Sequence, residues 1–281
     1  MHNVQVQSVY DVSNLYYGSL FLGYNFATKK MVIQTEKELI AIREINDVVA
    51  ITLKKMREYA RAGMTTKELD DYGAEILKKY GAKSAPFVTY KFPGWTCISI
   101  NNEMAHGIPS SRVLEEGDLI NIDVSAELNG FYGDNGASFV LGEDINKNQK
   151  LVDTSIEALH RAISVIKGGV KISEVGRIIE KTAKDRGYKV IKNLGGHGVG
   201  RGLHEEPDCI LNYYDRYDHR RFRKNSVVAI ETFITVNSTF VNTMKDGWTL
   251  VGNKGGFCVQ HEHTILVTSD KPIILTAKNG I

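Results

Sequence analysis

Apolar residues at spacings of three and four predict a long amphipathic helix near the start of the chain. Thr35 and Glu38 form a capping-box pattern, in which each side chain satisfies a backbone amide at the helix N-terminus. A second box, Thr65 with Glu68, predicts a shorter helix that ends near Gly81, because glycine readily adopts the left-handed conformation that follows many helices. The apolar positions behind the first box are Leu39, Ile42, Ile45, Val49, Leu53 and Met56.

The same two-helix pattern occurs a second time along the chain. Residues 169–187 (GVKISEVGRIIEKTAKDRG) align with residues 63–81 (GMTTKELDDYGAEILKKYG) at an offset of 106 residues (63 to 169), and both terminal glycines coincide. Further along, HEEP aligns with HGIP, and SVVAIE aligns with DLINID. The chain is therefore most simply two α/β halves, about 35–146 and 147–275, related by an internal duplication. The alternative is that short helix-and-strand patterns look alike without a common origin.

The composition indicates a globular chain that is long enough to bury a substantial core. Hydrophobic residues make up 42% of the 281 positions, and 35 basic against 33 acidic side chains give a formal net charge of +2. The sequence has no long basic run, so we do not expect nucleic acid as a substrate. The three cysteines, Cys97, Cys209 and Cys258, are odd in number and form no CxxC pair, which indicates a reducing compartment.

Residues 1–32 precede the first predicted helix, and we expect them to form a flexible extension before one folded domain of residues 33–281. The most apolar stretch, residues 15–27 (LYYGSLFLGYNFA), is shorter than the roughly eighteen residues of a membrane-spanning helix, and no basic stretch precedes it. A signal peptide is the alternative interpretation of this stretch. We therefore expect a cytoplasmic chain without a membrane partner.

Four acidic residues lie in strand-like segments, where a lone carboxylate is unfavourable. In DLINIDVSA, strand alternation turns Asp123 to one side and its isoleucine and valine neighbours to the other. Asp134 precedes the apolar run ASFVLG, Glu231 lies in VVAIETFITV, and Glu262 lies in CVQHEHTILV. Burying an unpaired carboxylate is costly, so each acid requires a cationic partner. For any one of them alone, an arginine partner or an edge-strand position would suffice.

Taken together, the four acids and His197 in the motif GGHGVG predict a metal centre. Close, unpaired carboxylates repel one another, and an oxygen-rich set with one imidazole suits Mn, Fe, Co or Zn. Two ions about 3.5 to 4 Å apart accommodate two bridging carboxylates and activate a shared water, which favours hydrolysis. A phosphate-binding glycine loop in GHGVGRGLHEEP is disfavoured, because Arg201 stands where the G-x-G-x-x-G pattern has its last glycine.

At these residues the sequence resembles the methionine aminopeptidases, and more closely their type I branch. The segments CISINNEMAHGIP, GDLINIDVSAELNGFYGDN, GHGVGRGLHEEP, TMKDGW and EHTILVT are similar to those of the family, in the family's order, from about Ile33 to the C-terminus. The resemblance implies an α/β pita-bread fold, with two pseudo-symmetric halves and a curved, mostly antiparallel sheet covered by helices. It also implies that a hydroxide bridging two divalent metal ions removes the initiator methionine from nascent proteins and peptides.

The resemblance assigns a metal ligand to each of the acidic positions. Asp123 would bind one metal ion, whereas His197 and Glu231 would bind the other, and Asp134 and Glu262 would bridge the two. The identity of the ions, Co, Mn, Fe or Zn, stays open at this point. Neither glutamate that follows the second histidine of GHGVGRGLHEEP is expected to be a ligand.

The resemblance also implies catalytic and substrate-binding residues around the metals. His106 and His204 match non-ligand histidines that contact the scissile peptide and help to stabilise the tetrahedral intermediate, and Glu231 matches the proton acceptor. Pro86 and Thr89 stand where bacterial relatives commonly have cysteine and tyrosine. The stretches IETF and GDN also differ from the family's usual sequence at these places. The expected methionine-pocket residues are Phe92, Cys97, Leu203, Phe233, Trp248 and Gln260.

The partners expected from the resemblance are the N-terminal methionines of nascent polypeptides. We further expect a monomer that associates with the ribosome. Two alternatives stay open, a proline-directed peptidase of the same fold, related to aminopeptidase P or prolidase, and a non-catalytic pita-bread binding protein. The former generally carries a sizeable extra N-terminal domain, and the latter usually loses metal ligands, whereas all five are present in this sequence.

Overall fold

The computed structural model describes residues 31–281, so the tyrosine-rich segment 15–27 lies outside the described residues. No helix within the described part is both long and apolar enough to cross a membrane. The helices are α1 (Glu36–Tyr59), α2 (Thr66–Lys79), α3 (Ala85–Tyr90), α4 (Gln149–Ser164) and α5 (Ser173–Asp185), and a 3₁₀ turn spans Ala277–Asn279.

Both capping boxes predicted from the sequence are present. The Thr35 hydroxyl accepts from the Glu38 amide at 3.2 Å, and the Glu38 carboxylate accepts from the Thr35 amide at 3.2 Å. Thr65 and Glu68 repeat this exchange at 3.1 and 2.7 Å. Gly81 follows α2 with a φ of 73°, in the left-handed region that glycine adopts without strain. The local signals in the sequence therefore place both ends of α2 and the start of α1.

Ten strands form one antiparallel sheet, and three short strands form a second sheet. The strands are β1 (Lys83–Ser84), β2 (Cys97–Ile100), β3 (Glu103–Ala105), β4 (Leu119–Leu128), β5 (Phe131–Val140), β6 (Lys189–Val190), β7 (Gly195–Gly198), β8 (Glu205–Leu211), β9 (Val227–Thr235), β10 (Val241–Thr243), β11 (Leu250–Gly252), β12 (Cys258–Leu266) and β13 (Ile273–Ile274). The large sheet has the order β1-β4-β5-β12-β9-β7-β8, with β2 beside β4, β6 beside β9 and β13 beside β12. The small sheet has the order β10-β11-β3.

The two halves of the chain repeat the same backbone pairings. Thr65, at the start of α2, forms a bridge with Val113, and Lys171, near the start of α5, forms a bridge with Arg221. Strand β1 follows α2 and pairs with β4, just as β6 follows α5 and pairs with β9. Thr65 and Lys171 are separated by the offset of 106 residues found in the sequence, and so are the first residues of β1 and β6 (83 to 189). Each half therefore contributes a helix pair and the long strands beneath it.

The helices cover one face of the large sheet, and strand alternation decides which side chains meet them. Ile120, Ile122 and Val124 of β4 are fully buried in the core that includes α1. Val228 and Ile230 of β9 are buried in a second core that includes α4 and α5. Residues that alternate with these point to the opposite face, away from the helices. Asp123, which lies between Ile122 and Val124, and Glu231, which follows Ile230, therefore lie on that face.

Candidate metal centre

Five neighbouring strands each contribute one side chain to a single buried cluster. The order β4-β5-β12-β9-β7 is continuous in the large sheet, so residues on adjacent strands lie beside one another. His197, Asp134, Glu231 and Glu262 are all less than 10% exposed, and the fifth member, on β4, is half-buried. The five side chains are Asp123 on β4, Asp134 on β5, Glu262 on β12, Glu231 on β9 and His197 on β7.

Three side chains of the cluster, Asp134, His197 and Glu262, have ligand atoms close enough to share one cation. One oxygen each of Asp134 and Glu262 and one nitrogen of His197 lie within 4.8 Å of one another. His197 Nε2 lies 3.3 Å from Glu231 Oε1 and 3.7 Å from Asp134 Oδ2. Asp123 and Asp134 also lie close enough for each carboxyl group to influence the pKa of the other. The sheet register thus brings together groups that lie far apart in the sequence.

Among the described residues, two buried oxygens of the cluster have no hydrogen-bond partner, Asp134 Oδ1 and Glu262 Oε1. A buried, unsatisfied acceptor costs about 1–3 kcal/mol, and more when it carries charge. Within residues 31–281, no lysine or arginine forms a salt bridge with any carboxylate of the cluster. Divalent cations supply the missing positive charge and accept oxygen ligands. The donor set therefore fits a metal centre.

Burial raises the pKa of every carboxyl group in the cluster. The pKa of Asp123 rises to about 7, mainly because of burial. Burial also raises the pKa of Asp134 well above its usual range, and the charges of Glu262 and Asp123 raise it further. Glu231 and Glu262 behave in the same way, with burial first and repulsion from the other acids second. Without a cation the cluster retains protons at neutral pH, which a bound cation would displace.

The tautomer of His197 leaves one ring nitrogen free for a metal. Its Nδ1 lies 2.9 Å from the Gly198 carbonyl oxygen, which only accepts, so Nδ1 carries the hydrogen and donates. Burial lowers the pKa of His197 to about 4, so the ring is neutral at physiological pH. Nε2 therefore presents a lone pair towards Asp134 and Glu231, as a metal-binding imidazole requires.

A cavity opens above the cluster and contains two further imidazoles. His106 follows β3 with a φ of 56°, and His204 lies between β7 and β8, its ring centroid 4.1 Å from that of His197. Burial lowers the pKa of His106 to about 4. Burial, followed by the neighbouring histidines, lowers that of His204 well below its usual range. Both rings are therefore neutral hydrogen-bonding groups on the cavity wall.

Apolar side chains form the rest of the cavity wall. Phe92 and Trp248 pack edge to face, with ring centroids 5.2 Å apart and an interplanar angle of 86°. Leu203 and Phe233 are buried beside them. Cys97 is the register partner of Asp123, and burial, followed by the charge of Asp123, raises the pKa of its thiol well above the usual range. The thiol is therefore protonated and acts as an apolar wall group.

Gln260 lies beside the carboxylate cluster and is not one of the residues that line the cavity. Its Nε2 donates to Glu262 Oε2 at 3.0 Å, and its Oε1 accepts from Asn121 Nδ2 at 2.9 Å. Asn121 Nδ2 also donates to the Gln260 backbone carbonyl oxygen at 3.1 Å, and because a carbonyl only accepts, the amide nitrogen of Asn121 faces Gln260. These contacts orient the Gln260 amide so that its N–H points at a carboxylate of the cluster. The structure thus places Gln260 behind Glu262, whereas the sequence resemblance placed it in the methionine pocket.

Several cavity residues were not among those predicted from the sequence, and one of them, Tyr90, makes a direct polar contact with a predicted residue. Its hydroxyl is hydrogen-bonded to His204 Nδ1, and it lines the cavity together with Pro86. Both lie on the six-residue helix α3, four positions apart, and therefore on one face of that helix. That spacing indicates a shared helix face but not the contact with His204, which lies 114 residues away. Ser125, two positions after Asp123 on β4 and so on the same strand face, also lines the cavity.

The glycines of GHGVGRGLHEEP allow close strand packing. A Cβ on Gly196 would lie 2.2 Å from the Ala229 carbonyl oxygen, and one on Gly198 would lie 2.4 Å from the Glu206 carbonyl oxygen. Side chains at these positions would push β7 away from β9 and β8, and His197 would move with it. The Glu205 carboxylate accepts from the Arg201 amide at 2.6 Å and from the Met31 amide. It therefore serves the backbone of this turn.

The histidines on either side of Glu262 lie on the helix side of β12, as strand alternation predicts. His261 Nε2 lies 3.0 Å from the Ser138 carbonyl oxygen, and His263 Nδ1 lies 2.8 Å from Thr276 Oγ1. Asn135 belongs to the stretch GDN, which differs from the family's usual sequence. Its side chain, also on the helix side of the sheet, donates to the Val124 carbonyl oxygen at 3.1 Å. The difference from the family at Asn135 therefore affects how the sheet packs and leaves the five side chains of the cluster unchanged.

Comparison with known proteins relates this geometry to a family. The model of metallopeptidase family M24 matches residues 40–269. Methionine aminopeptidase 2 of Bacillus subtilis is 44% identical over 247 residues, which cover 88% of this chain and 99% of that protein. The crystal structure of methionine aminopeptidase from Thermotoga maritima superposes with a TM-score of 0.82 at 36% identity, covering 88% of this chain and 99% of that one. The structure of the prolidase from Pyrococcus horikoshii superposes with a TM-score of 0.70 at 24% identity, and the match covers 87% of this chain and 63% of the prolidase chain. This similarity concerns the fold alone.

Proposed function

This chain belongs to metallopeptidase family M24, and we propose that it is a metal-dependent aminopeptidase that removes the N-terminal methionine from nascent polypeptides and peptides. Relatives named methionine aminopeptidase are 43–44% identical over most of the chain. The pita-bread fold predicted from the sequence is confirmed. The prolidase alternative has only distant structural support, so the methionine-directed reaction is favoured.

The observation that carries this function is the buried cluster of four carboxylates and one imidazole at the base of an apolar cavity. We propose that Asp123 holds one divalent cation, that His197 and Glu231 hold a second, and that Asp134 and Glu262 contact both. The unpartnered oxygens of Asp134 and Glu262 support the last assignment. Bound divalent cations supply Lewis-acid activation of a water molecule and of the scissile carbonyl group.

The residues around the cations supply the proton transfers and hydrogen bonds of the reaction. We propose that Glu231 accepts a proton from the attacking water and passes it to the leaving amine, as a general base and then a general acid. His106 and His204 are neutral and donate hydrogen bonds to the oxygen of the scissile peptide, where negative charge develops.

The apolar part of the cavity suits the side chain of methionine. Phe92, Trp248, Phe233 and Leu203 surround a space in which a thioether would contact aromatic rings, and contacts between sulfur and aromatic rings are favourable. Cys97 adds a small, uncharged group to this wall. We propose that this pocket selects methionine, with the peptide amine directed towards the carboxylate cluster.

Several finer properties follow as proposals from the same assignment. The oxygen-rich ligand set with one imidazole suits Mn, Fe, Co or Zn, and cellular supply decides among these ions. All three cysteines are free thiols, which supports a reducing, cytoplasmic location. We propose that the enzyme acts as a monomer on nascent chains close to the ribosome, because its substrates are newly made N-termini.

The proposed function is tested by removing the metal and restoring single ions. After chelation, Co, Mn or Fe is added back singly, and release of the first residue is measured for Met-Ala-Ser and for an Xaa-Pro peptide. We expect metal-dependent release from Met-Ala-Ser alone. Turnover of only the Xaa-Pro peptide would favour a proline-directed enzyme, and no turnover of either would favour a binding protein. Glu58→Ala, a change at an exposed position of α1, is the control for handling losses.

A further inference from the structure

Tyr90 stands where the cavity wall meets the catalytic histidine. It is the last residue of α3, and its hydroxyl is hydrogen-bonded to His204 Nδ1. The tyrosine and histidine rings lie with centroids 5.6 Å apart at an interplanar angle of 46°. The two residues are 114 positions apart in the chain, so the contact joins the two halves of the fold.

The states of the two groups restrict how they share this hydrogen bond. Burial raises the pKa of the Tyr90 hydroxyl above its usual range, and the charge of Asp134 adds to the effect, so the hydroxyl keeps its hydrogen. A neutral His204 ring carries one N–H and one lone pair, and its Nδ1 is the nitrogen that shares the hydrogen bond with the Tyr90 hydroxyl. When the hydroxyl donates to Nδ1, the ring hydrogen lies on Nε2.

The opposite tautomer fits the site poorly. With the hydrogen on Nδ1, Nε2 would present a lone pair on the ring edge turned away from Tyr90. A peptide carbonyl oxygen only accepts hydrogen bonds, so a lone pair facing it would repel it and could not stabilise developing negative charge. The catalytic task therefore requires the hydrogen on Nε2, which is the tautomer that donation from Tyr90 favours.

We propose that Tyr90 is a positioning residue that holds His204 as the Nε2–H tautomer and fixes the direction in which this N–H donates. Tyr90 acts through His204 and does not itself need to contact the substrate. This role resembles that of the groups that orient catalytic histidines elsewhere, where the bond to one ring nitrogen sets the state of the other. The role in turnover rests on the proposed aminopeptidase activity, whereas the tautomer does not depend on any substrate.

The informative variant is Tyr90→Phe, which keeps the ring in the cavity wall and removes only the hydroxyl. Because the Nε2–H bond strengthens as charge develops on the substrate oxygen, we expect kcat for Met-Ala-Ser to fall about tenfold with little change in KM. The matched control is Tyr72→Phe. Tyr72 is partly buried, its ring centroid lies 4.1 Å from that of Tyr59, and it does not line the cavity. Its kcat should stay within twofold of the native value.

The tautomer itself is read from the ¹⁵N shifts of the His204 ring in the full-length protein, loaded with diamagnetic Zn²⁺ and assigned by comparison with His204→Gln. We expect a lone-pair nitrogen at Nδ1 and a protonated nitrogen at Nε2 in the native protein and in Tyr72→Phe. In Tyr90→Phe the two shifts should move towards each other as the tautomers mix. A hydrogen on Nδ1 in the native protein, or unchanged shifts in Tyr90→Phe, would overturn the assignment. If no methionine were released but the shifts behaved as expected, the proposed aminopeptidase activity would be wrong. The effect of Tyr90 on the His204 tautomer would still stand.

Discussion

Glu231 and Glu262 are register partners on the adjacent strands β9 and β12, so their Cα atoms lie directly opposite each other in the sheet. Like charges directly opposite on neighbouring strands destabilise a sheet, and both carboxylates are buried. The fold therefore maintains an unfavourable pair at its centre. Such an arrangement is stable only when a cation or a proton neutralises it.

Replacing Glu262 by glutamine tests this relationship. Glu262→Gln keeps the shape of the side chain and removes its charge, so we expect metal-dependent hydrolysis of Met-Ala-Ser to fall by at least about a hundredfold. The metal-free variant should unfold at the same or a higher temperature than the metal-free native protein, because repulsion at the centre is relieved. Calorimetry of metal binding and thermal unfolding measure the two effects. Near-native turnover would exclude Glu262 as a ligand.

Gln260→Met tests whether the neighbouring amide orients Glu262. The change preserves length and removes the N–H that donates to Glu262 Oε2. Loss of a group that orients a metal ligand typically lowers metal affinity by about 10- to 100-fold, and we expect a fall in this range. Competition against a chelator measures it, with Gln149→Met on the exposed start of α4 as control. Unchanged affinity with a raised KM for methionyl peptides would instead support a place in the methionine pocket.

The stability of the metal-free protein should depend on pH through Asp123. Its pKa is about 7 in the folded protein, raised from 3.8. Between about pH 4 and 7 the folded protein keeps this proton while the unfolded chain loses it, so stability falls as the pH rises. Asn cannot titrate, so in the presence of a chelator the free energy of unfolding of the native protein should fall relative to Asp123→Asn across this window. Urea unfolding at several pH values checks this, and parallel curves would contradict the raised pKa.

The two neighbouring imidazoles should respond differently to mutation. His197→Gln should weaken metal binding strongly, because Nε2 is the nitrogen turned towards the acidic cluster. His204→Gln should lower kcat by about 10- to 1,000-fold while metal binding is retained, as for the loss of a donor to a developing oxyanion. Calorimetry and steady-state kinetics on the two variants separate these roles. Loss of metal in His204→Gln would assign that residue to the metal centre.

Trp248→Ala tests the methionine pocket. The change removes one partner of the edge-to-face pair with Phe92, a contact worth about 0.5–1.5 kcal/mol beyond its buried area. We expect KM for Met-Ala-Ser to rise by about three- to tenfold, with metal affinity unchanged. Tyr217→Ala, at an exposed aromatic residue, is the control. A KM that does not change would remove Trp248 from the pocket.

Local signals in the sequence account for much of the fold. The capping boxes at Thr35 and Thr65 predict helix starts that the structure contains, because a cap depends on residues three positions apart. Strand alternation correctly separates Asp123 from Ile122, since the two faces of a strand follow from backbone geometry alone. The same alternation explains why His263, next to Glu262 on β12, lies on the helix side and contacts Thr276.

Features that depend on long-range register could not be read from the sequence alone. Gln260 is hydrogen-bonded to Asn121, 139 residues away, and Tyr90 meets His204 across 114 residues. Neither pairing leaves a periodic trace in the chain, because each depends on which strands become neighbours. The acids in strand-like segments and the histidine of GGHGVG predict a metal centre, and the resemblance adds a role for each residue, but Tyr90 belongs to no motif that the sequence displays. These contacts therefore became visible only in the folded protein.

The central claim is that the carboxylate cluster binds divalent cations and that these cations enable removal of methionine. It is tested most directly by titrating the metal-free protein with Co²⁺, while bound ion and methionine released from Met-Ala-Ser are measured in the same samples. We predict that methionine release is negligible without added ion, rises with occupancy up to two ions per chain, and is lost in Glu262→Gln. Full release in the thoroughly chelated native protein, or no release at any Co²⁺ concentration that saturates binding, would contradict the account.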